Sequence, residues 1–272
     1  MSRTYTVTQY LAHFFRSKRW DSFHSPFLFS LFTYCTDERM SHPLFESIEG
    51  KRRELIQSKE VIERNDFGTG TSFHQSKNAD SISRIARHAL SLPFQCRFLY
   101  RLAVFTKSRV IVELGTSLGI SSSYLGIANS TSRVDTVEGD AEIASTAHKV
   151  FDSLILDNIH LHNTSFDSFI ANGLPGGQQI DLLFLDGHHT SAALWKYYHA
   201  LRPFMTDQTI IIVDDIYWSV DMTNGWNKLI SLPEVTQSVD CFYFGLLFFK
   251  QDFFNHKNHC IRLPLRGLLP GG

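Results

Sequence analysis

The sequence predicts an α/β fold: a mostly parallel, doubly wound sheet preceded by a helical N-terminal extension. Three observations carry this. From Arg109 onward, short apolar runs alternate with stretches of helical periodicity, as strand–helix–strand units do. The first run, Val110 to Leu114, leads straight into a glycine loop and then a helix. Before about residue 90, apolar positions recur at helical spacing and no strand alternation is visible.

The elements follow in order. "TVTQYLAHFFRSKRW" places Val7, Leu11, Phe14 and Phe15 on one helical face. "HSPFLFSLFTYC" puts Pro26 at a helix start ahead of an aromatic-rich buried face. "PLFESIEGKRRELIQSK" reads as an amphipathic, well-charged helix. Residues 1–90 are therefore expected to form a helical cap and 91–265 the α/β domain, while 266–272, "RGLLPGG", are expected to form a flexible tail. In the α/β part the strands are "RVIVEL", "RVDTVEG", "LDNIHLHN", "IDLLFLDG", "QTIIIVDD" and "DCFYFGLLFF". In such sheets ligands bind beyond the carboxyl ends of the strands, so chemistry is sought just after each run.

Composition narrows the function. A chain of 272 residues with 43% hydrophobic and 19% charged residues can bury a sizeable core. A net charge of −1 argues against bulk electrostatic binding of nucleic acid. Cys35, Cys96, Cys241 and Cys260 are scattered and form no CxxC pair, which fits reduced thiols better than disulfides or a zinc site. The basic N-terminus lacks the apolar core of a signal peptide, and "FLFSLF" is too short to cross a membrane. A cytoplasmic protein is expected.

Two glycine loops compete for a ligand. "ERNDFGTGTSFH" contains Asp66–Ser72 but follows a charged segment that is no central strand, so it reads as a turn of the cap, with a lid as the alternative. "VIVELGTSLGISSSYLG" has the buried strand before it and the helix after it, and is the better primary site. Its spacing is not the dinucleotide fingerprint, because Ser117 stands where a glycine would be. "GTSLG" also matches the nucleophile elbow of serine hydrolases, with Asp186 or Asp214 and a later histidine following in order. Against that reading, the elbow normally follows several strands, and no HGGG-like segment precedes it.

These residues resemble the class I S-adenosylmethionine-dependent methyltransferases. "VELGTSLGISSSYLG" is similar to their first cofactor motif and "VDTVEGD" to the second; "DLLFLDGHH" and "IIIVDDIYW" resemble their fourth and fifth strand ends, most of all in the catechol-type O-methyltransferase branch. The likeness spans about Phe94 to Phe249, and "FHSPF" and "DFGTGTS" resemble the N-terminal extension of a bacterial group in this superfamily. It implies a seven-stranded Rossmann-like sheet, S-adenosylmethionine as cofactor and O-methylation of a small-molecule hydroxyl.

The resemblance also implies roles. Glu113 would orient the loop and reach the cofactor's ammonium, directly or through water. Gly115, Ser117 and Gly119 would bring backbone against its methionine part. Glu138 would accept both ribose hydroxyls, and Ser165 and Phe166 would flank the adenine. At the acceptor, Asp186, His188, His189, Asp214 and Asp215 fall at adjacent strand ends. In one reading Asp186, Asp214 and Asp215 hold Mg²⁺, although Asp215 replaces the branch's Asn. In the other, His189 is a general base, with Asp186 and Asp215 beside it. Asp186 is also a cofactor contact in the family. Trp218 and Trp226 suit a flat acceptor. The cap either closes the pocket or forms a homodimer surface. The rivals are an RNA methyltransferase, for which Arg97, Arg101, Lys107, Arg109 and Arg202 are few, and a non-catalytic protein keeping the fold.

Overall fold

A computed structural model describes residues 3–64, 78–250 and 257–263. Along the chain run α1 (Arg3–Arg16), β1 (Lys18–Arg19), α2 (Pro26–Cys35), α3 (Phe45–Gln57), β2 (Val61–Arg64), β3 (Asn78–Ser81), α4 (Ile82–Ala89) and α5 (Pro93–Thr106). The α/β part continues with β4 (Val110–Leu114), α6 (Ile120–Gly126), β5 (Arg133–Glu138), α7 (Ala141–Leu154), β6 (Ile159–Asn163), α8 (Phe166–Ala171) and β7 (Ile180–Leu185). It closes with α9 (Ser191–Leu201), β8 (Met205–Asp214), α10 (Val220–Ile230), β9 (Gln237–Asp240), β10 (Phe244–Phe248) and β11 (Lys257–Arg262).

The α/β class is as expected, with strands and helices alternating from β4 onward. The six runs read as strands hold β4 to β8 and β10, and β1, β9 and β11 add to them. Two compact units form, one from Met1–Thr36 with Leu174–Leu265 and the other from Asp37–Gly173, each over its described residues.

In the Asp37–Gly173 unit, β4, β5 and β6 pair in parallel, Val112 opposite Asp135 and Val137 opposite His162. Their apolar content explains the burial: Ile111, Val112, Val134 and Val137 are wholly buried. Helices α3, α4, α6 and α7 share one core that includes Ile48, Ile85, Leu118, Tyr124, Ala147 and Phe151. A polar thread crosses it: the Tyr124 hydroxyl donates to Glu49 at 2.9 Å, Glu49 accepts from Arg52 at 2.9 Å, and Arg52 donates to the Ser91 carbonyl at 2.8 Å. Every charge in this thread is partnered, as burial demands.

In the other unit, β7 and β8 are parallel, β10 runs antiparallel to both β8 and β9, and β11 lies parallel to β9 and β1. Pro26 does open α2, and the Ser25 hydroxyl caps it by accepting from the Leu28 N–H. Gly245 on β10 is a glycine for packing reasons: a Cβ there would lie 2.4 Å from the Trp226 ring. Gly245→Ala is expected to cost about 1–3 kcal/mol through overpacking, read as a lower urea midpoint.

Two expectations change. The extension is not wholly helical, because β2 and β3 form an antiparallel pair, Ile62 opposite Asp80. Ile62 joins the core while Val61 is 62% exposed, an alternation too short to stand out among charges. The expected final strand "DCFYFGLLFF" is a hairpin corner plus β10, and its partner β9, "QSVD", is buried despite three polar residues. The Asp66–Ser72 loop and the 266–272 tail lie outside the described residues.

Candidate active site

The glycine loop after β4 has the backbone its sequence promises. Gly115 and Gly119 take positive φ of 113° and 82°, and Ser117 joins them at 48°. A non-glycine residue there signals a backbone held by its surroundings. The N–H groups of Gly115 and Thr116 both donate to the Val137 carbonyl at 3.1 Å. Gly119 precedes α6, and a Cβ on it would meet the Phe151 ring at 2.7 Å, so both space and φ require glycine.

Two carboxylates organise this loop in different ways. Glu113 is wholly buried: one of its oxygens accepts from Ser121 at 2.6 Å, the other from Thr136 at 2.6 Å and from Ser122. Burial raises its pKa, against the pull of these hydroxyls. Its expected loop-orienting role fits this geometry. A direct or water-bridged reach to a ligand does not, because both oxygens are engaged and closed off from solvent. The partners Ser121, Ser122 and Thr136 were not picked out from the sequence. The run "SSS" within a buried helix was the available signal, since buried hydroxyls must find acceptors.

Glu138 ends β5 and braces the loop from below. Its Oε2 accepts the Ser117 N–H at 3.0 Å and its Oε1 the Asp140 N–H at 3.0 Å. Asp140, also missed in the sequence, caps α7 by accepting from Glu142 and Ile143. The Ser117 hydroxyl itself is buried and meets no hydrogen-bond partner among the described residues. A buried hydroxyl with no protein partner is one that a bound water or ligand can satisfy. It also removes the hydrolase reading, since a nucleophilic serine needs a base within hydrogen-bond reach. Ser165 is exposed and caps α8, accepting from the Ser168 N–H at 3.1 Å, and Phe166 is buried beside it.

The other unit gathers Asp186, His189 and Asp215. His189 Nε2 lies 3.9 Å from Asp186 Oδ1 and 4.0 Å from Asp215 Oδ2. The His189 ring sits 5.4 Å from that of Trp218, tilted by 34°. Its Nδ1 is buried with no partner among the described residues, and burial lowers its pKa to about 4. Burial raises Asp215 to about 6. His188 at φ 50° and Asp215 at φ 52° both adopt left-handed backbone. That strain holds their side chains where regular structure would not. His188 is bonded to the Tyr197 hydroxyl at 2.7 Å, and it is Thr190 that caps α9. Trp226 is 2% exposed and packs over Gly245, so it belongs to the core rather than to an acceptor wall.

The Mg²⁺ expectation fits these residues poorly. Among the described residues, no trio containing Asp186, Asp214 or Asp215 brings its donor atoms within 4.8 Å of one another. An octahedral Mg²⁺ shell, with oxygens about 2.1 Å from the ion, needs closer convergence.

Comparison with known proteins bears on the fold. Residues 112–216 match the family described as a methyltransferase domain. No curated protein sequence matches the chain. Similar solved structures include the O-methyltransferase TomG of Streptomyces achromogenes, in complex with S-adenosylmethionine. It is 19% identical, with 60% of this chain and 82% of that one covered and a TM-score of 0.53. The SAH-bound methyltransferase PaMTH1 of Podospora anserina is 15% identical over 84% of this chain and 97% of its own, with a TM-score of 0.57. An O-methyltransferase from Bacillus cereus, in complex with SAH, is 18% identical over 80% and 97%, with a TM-score of 0.55. At these identities the likeness is one of fold: the chain folds as these methyltransferases do, and its residues 112–216 match a family described as a methyltransferase domain.

Proposed function

We propose that the protein is an S-adenosylmethionine-dependent methyltransferase acting on a hydroxyl of a small molecule. The observation that carries this is the braced loop with its orphaned Ser117 hydroxyl beside Glu138. Bound at that loop, S-adenosylmethionine supplies a methyl group on a positively charged sulfur. Glu138, which holds the Ser117 and Asp140 N–H groups, is assigned to the ribose hydroxyls. Gly115 lets backbone approach the methionine portion without side-chain hindrance, while Gly119 turns the loop into α6 against Phe151. Ser165 and Phe166 are assigned to the adenine.

The acceptor's proton needs a receiver as the new carbon–oxygen bond forms. Asp215, raised to about 6, matches a base working near neutrality better than His189, lowered to about 4. We therefore assign the proton to Asp215. His189 is a neutral imidazole that orients the acceptor beside Asp186, and Trp218 offers a flat surface. This departs from the expectation of His189 as base. No Mg²⁺ is assigned, for the geometric reason given above.

An RNA acceptor is disfavoured by the basic residues that would serve it. Arg101 is buried and donates to the Met40 carbonyl at 2.8 Å, and Arg97 lies over the Phe45 ring. Arg101 is thereby spent on packing rather than on a phosphate-facing surface. No described helix is long and apolar enough to cross a membrane.

The test is calorimetric titration of S-adenosylmethionine into the purified full chain, followed by a screen of small hydroxylated acceptors with EDTA or with Mg²⁺. Micromolar binding and EDTA-insensitive methyl transfer are expected. Absence of cofactor binding overturns the reading, and activity that requires Mg²⁺ returns the acidic residues to a metal role.

A further inference from the structure

A second set of chemistry-bearing side chains lies apart from every residue assigned above. His13 on α1, Asp240 at the end of β9 and Cys260 on β11 bring their donor atoms within 4.8 Å of one another. His13 Nε2 stands 3.3 Å from Asp240 Oδ1. Ligands about 2.0–2.3 Å from a tetrahedral ion sit roughly 3.3–3.7 Å apart, so this pair is already at coordination spacing.

We propose that His13, Asp240 and Cys260 bind a divalent transition-metal ion of the zinc type, with its fourth position open to an adjoining cavity. The donor set selects the ion: imidazole, carboxylate and thiolate together suit Zn²⁺, whereas Mg²⁺ and Ca²⁺ require oxygen shells. His13 and Asp240 are buried and Cys260 is half-buried. The ligands come from three elements far apart in sequence, so the ion would pin α1 to the strands it packs on.

The surrounding contacts orient this set as outer-shell partners do. Asp240 divides its oxygens: Oδ2 accepts from the Tyr217 hydroxyl at 2.6 Å and from Arg16 Nη2 at 2.8 Å, while Oδ1 faces His13 and accepts the Phe242 N–H at 2.9 Å. Arg16 Nε is directed at Cys260 Sγ at 3.4 Å, as a donor to a thiolate would be. The positive Arg16 does not bar a cation. If the ion enters as one proton leaves the His13 imidazolium and another leaves the Cys260 thiol, the local charge is unchanged.

A cavity of about 410 Å³ opens beside the set, lined in part by Arg16, Tyr217, Asp240, Asn258, His259 and Cys260. It has room for a water or a small anion at the fourth position. Three protein ligands and one open place is the pattern of a reactive rather than a closed structural zinc site. The rival reading is a metal-free ion-pair network of His13, Arg16 and Asp240. It accounts for the charges and gives Cys260 a place as the acceptor of Arg16 Nε, so metal binding itself must separate the two readings.

The experiment titrates Zn²⁺ into the full chain, purified reduced and stripped with chelator, against a chromogenic competitor. Co²⁺ is then substituted for Zn²⁺. The expected result is one equivalent of tightly bound Zn²⁺, a rise in melting temperature on its addition, and a thiolate-to-cobalt charge-transfer band. Cys260→Ser should weaken Zn²⁺ binding by at least ~10-fold and remove the band. The wild-type cobalt spectrum reports on the thiolate even if the variant folds poorly. Absence of stoichiometric Zn²⁺, a cobalt complex without the thiolate band, or a folded Cys260→Ser that binds Zn²⁺ equally well overturns the site. S-adenosylmethionine binding, measured on the same samples, should be unchanged by Cys260→Ser, which keeps this result separate from the methyl-transfer reading.

Discussion

Glu138→Ala is expected to weaken S-adenosylmethionine binding by ~100-fold or more, with the melting temperature little changed. The residue ends β5 and is only half-buried, beside the buried Val137. Its Oε2 accepts the Ser117 N–H and its Oε1 the Asp140 N–H. Two ribose hydroxyls donating to a carboxylate are worth about 1.5–3 kcal/mol each, and ~2.8 kcal/mol is a factor of about 100 in affinity. Releasing the Ser117 N–H also frees the loop, which adds to the loss. Calorimetry on wild type and variant, with a thermal melt of each, separates a binding defect from a folding one. Glu138→Gln refines the test, because an amide can keep at most one of the two backbone acceptors and should fall between them. An unchanged dissociation constant in Glu138→Ala would remove Glu138 from the cofactor site and leave the Ser117 loop without its anchor.

The sequence shows some of these features plainly and hides others, for physical reasons. β4 is legible because "VIV" is a continuous apolar run that ends in a glycine loop, and Glu138 is legible because an acidic residue closes the next such run. Glu113 is visible as a residue but not in its environment. The three hydroxyls that satisfy it come from Ser121, Ser122 and Thr136, which only the pairing of β4 with β5 and the start of α6 bring together. β9 is invisible to periodicity because Gln237, Ser238 and Asp240 are polar yet buried. They are satisfied across the fold by His259, by Asn258, and by Arg16 with Tyr217. His13 and Asp240 stand 227 positions apart, a separation that no spacing rule bridges. Scattered cysteines argued against a zinc site, whereas a mixed His, Asp and Cys set such as the one proposed leaves no pattern in the sequence.

Asp215→Asn is expected to lower kcat by ~10²–10⁴ while S-adenosylmethionine still binds, because it removes the proton acceptor and not the cofactor loop. Its effect should depend on pH in a defined direction. The working form of Asp215 is the carboxylate, and burial places its pKa at about 6. Wild-type kcat should therefore rise about tenfold per unit below about 6 and level off above it. His189 stays neutral over that range, its pKa lowered to about 4, so it contributes no limb there. A limb that survives unchanged in Asp215→Asn would transfer the base role to another group. Stability should respond to the same pair in opposite senses. His189 is lowered, so its contribution is full above the ordinary 6.5 and is lost as pH falls through about 4. Asp215 is raised, so its contribution is full below 3.8 and is lost as pH rises through about 6. Between about 4 and 6 the two trends offset each other in the wild type. Asp215→Asn removes one of them, and the variant should lose melting temperature on acidification across that window where the wild type does not. A pair tuned only for stability would gain nothing from opposed shifts. A pair that must keep one neutral ring and one carboxylate poised near neutrality needs both.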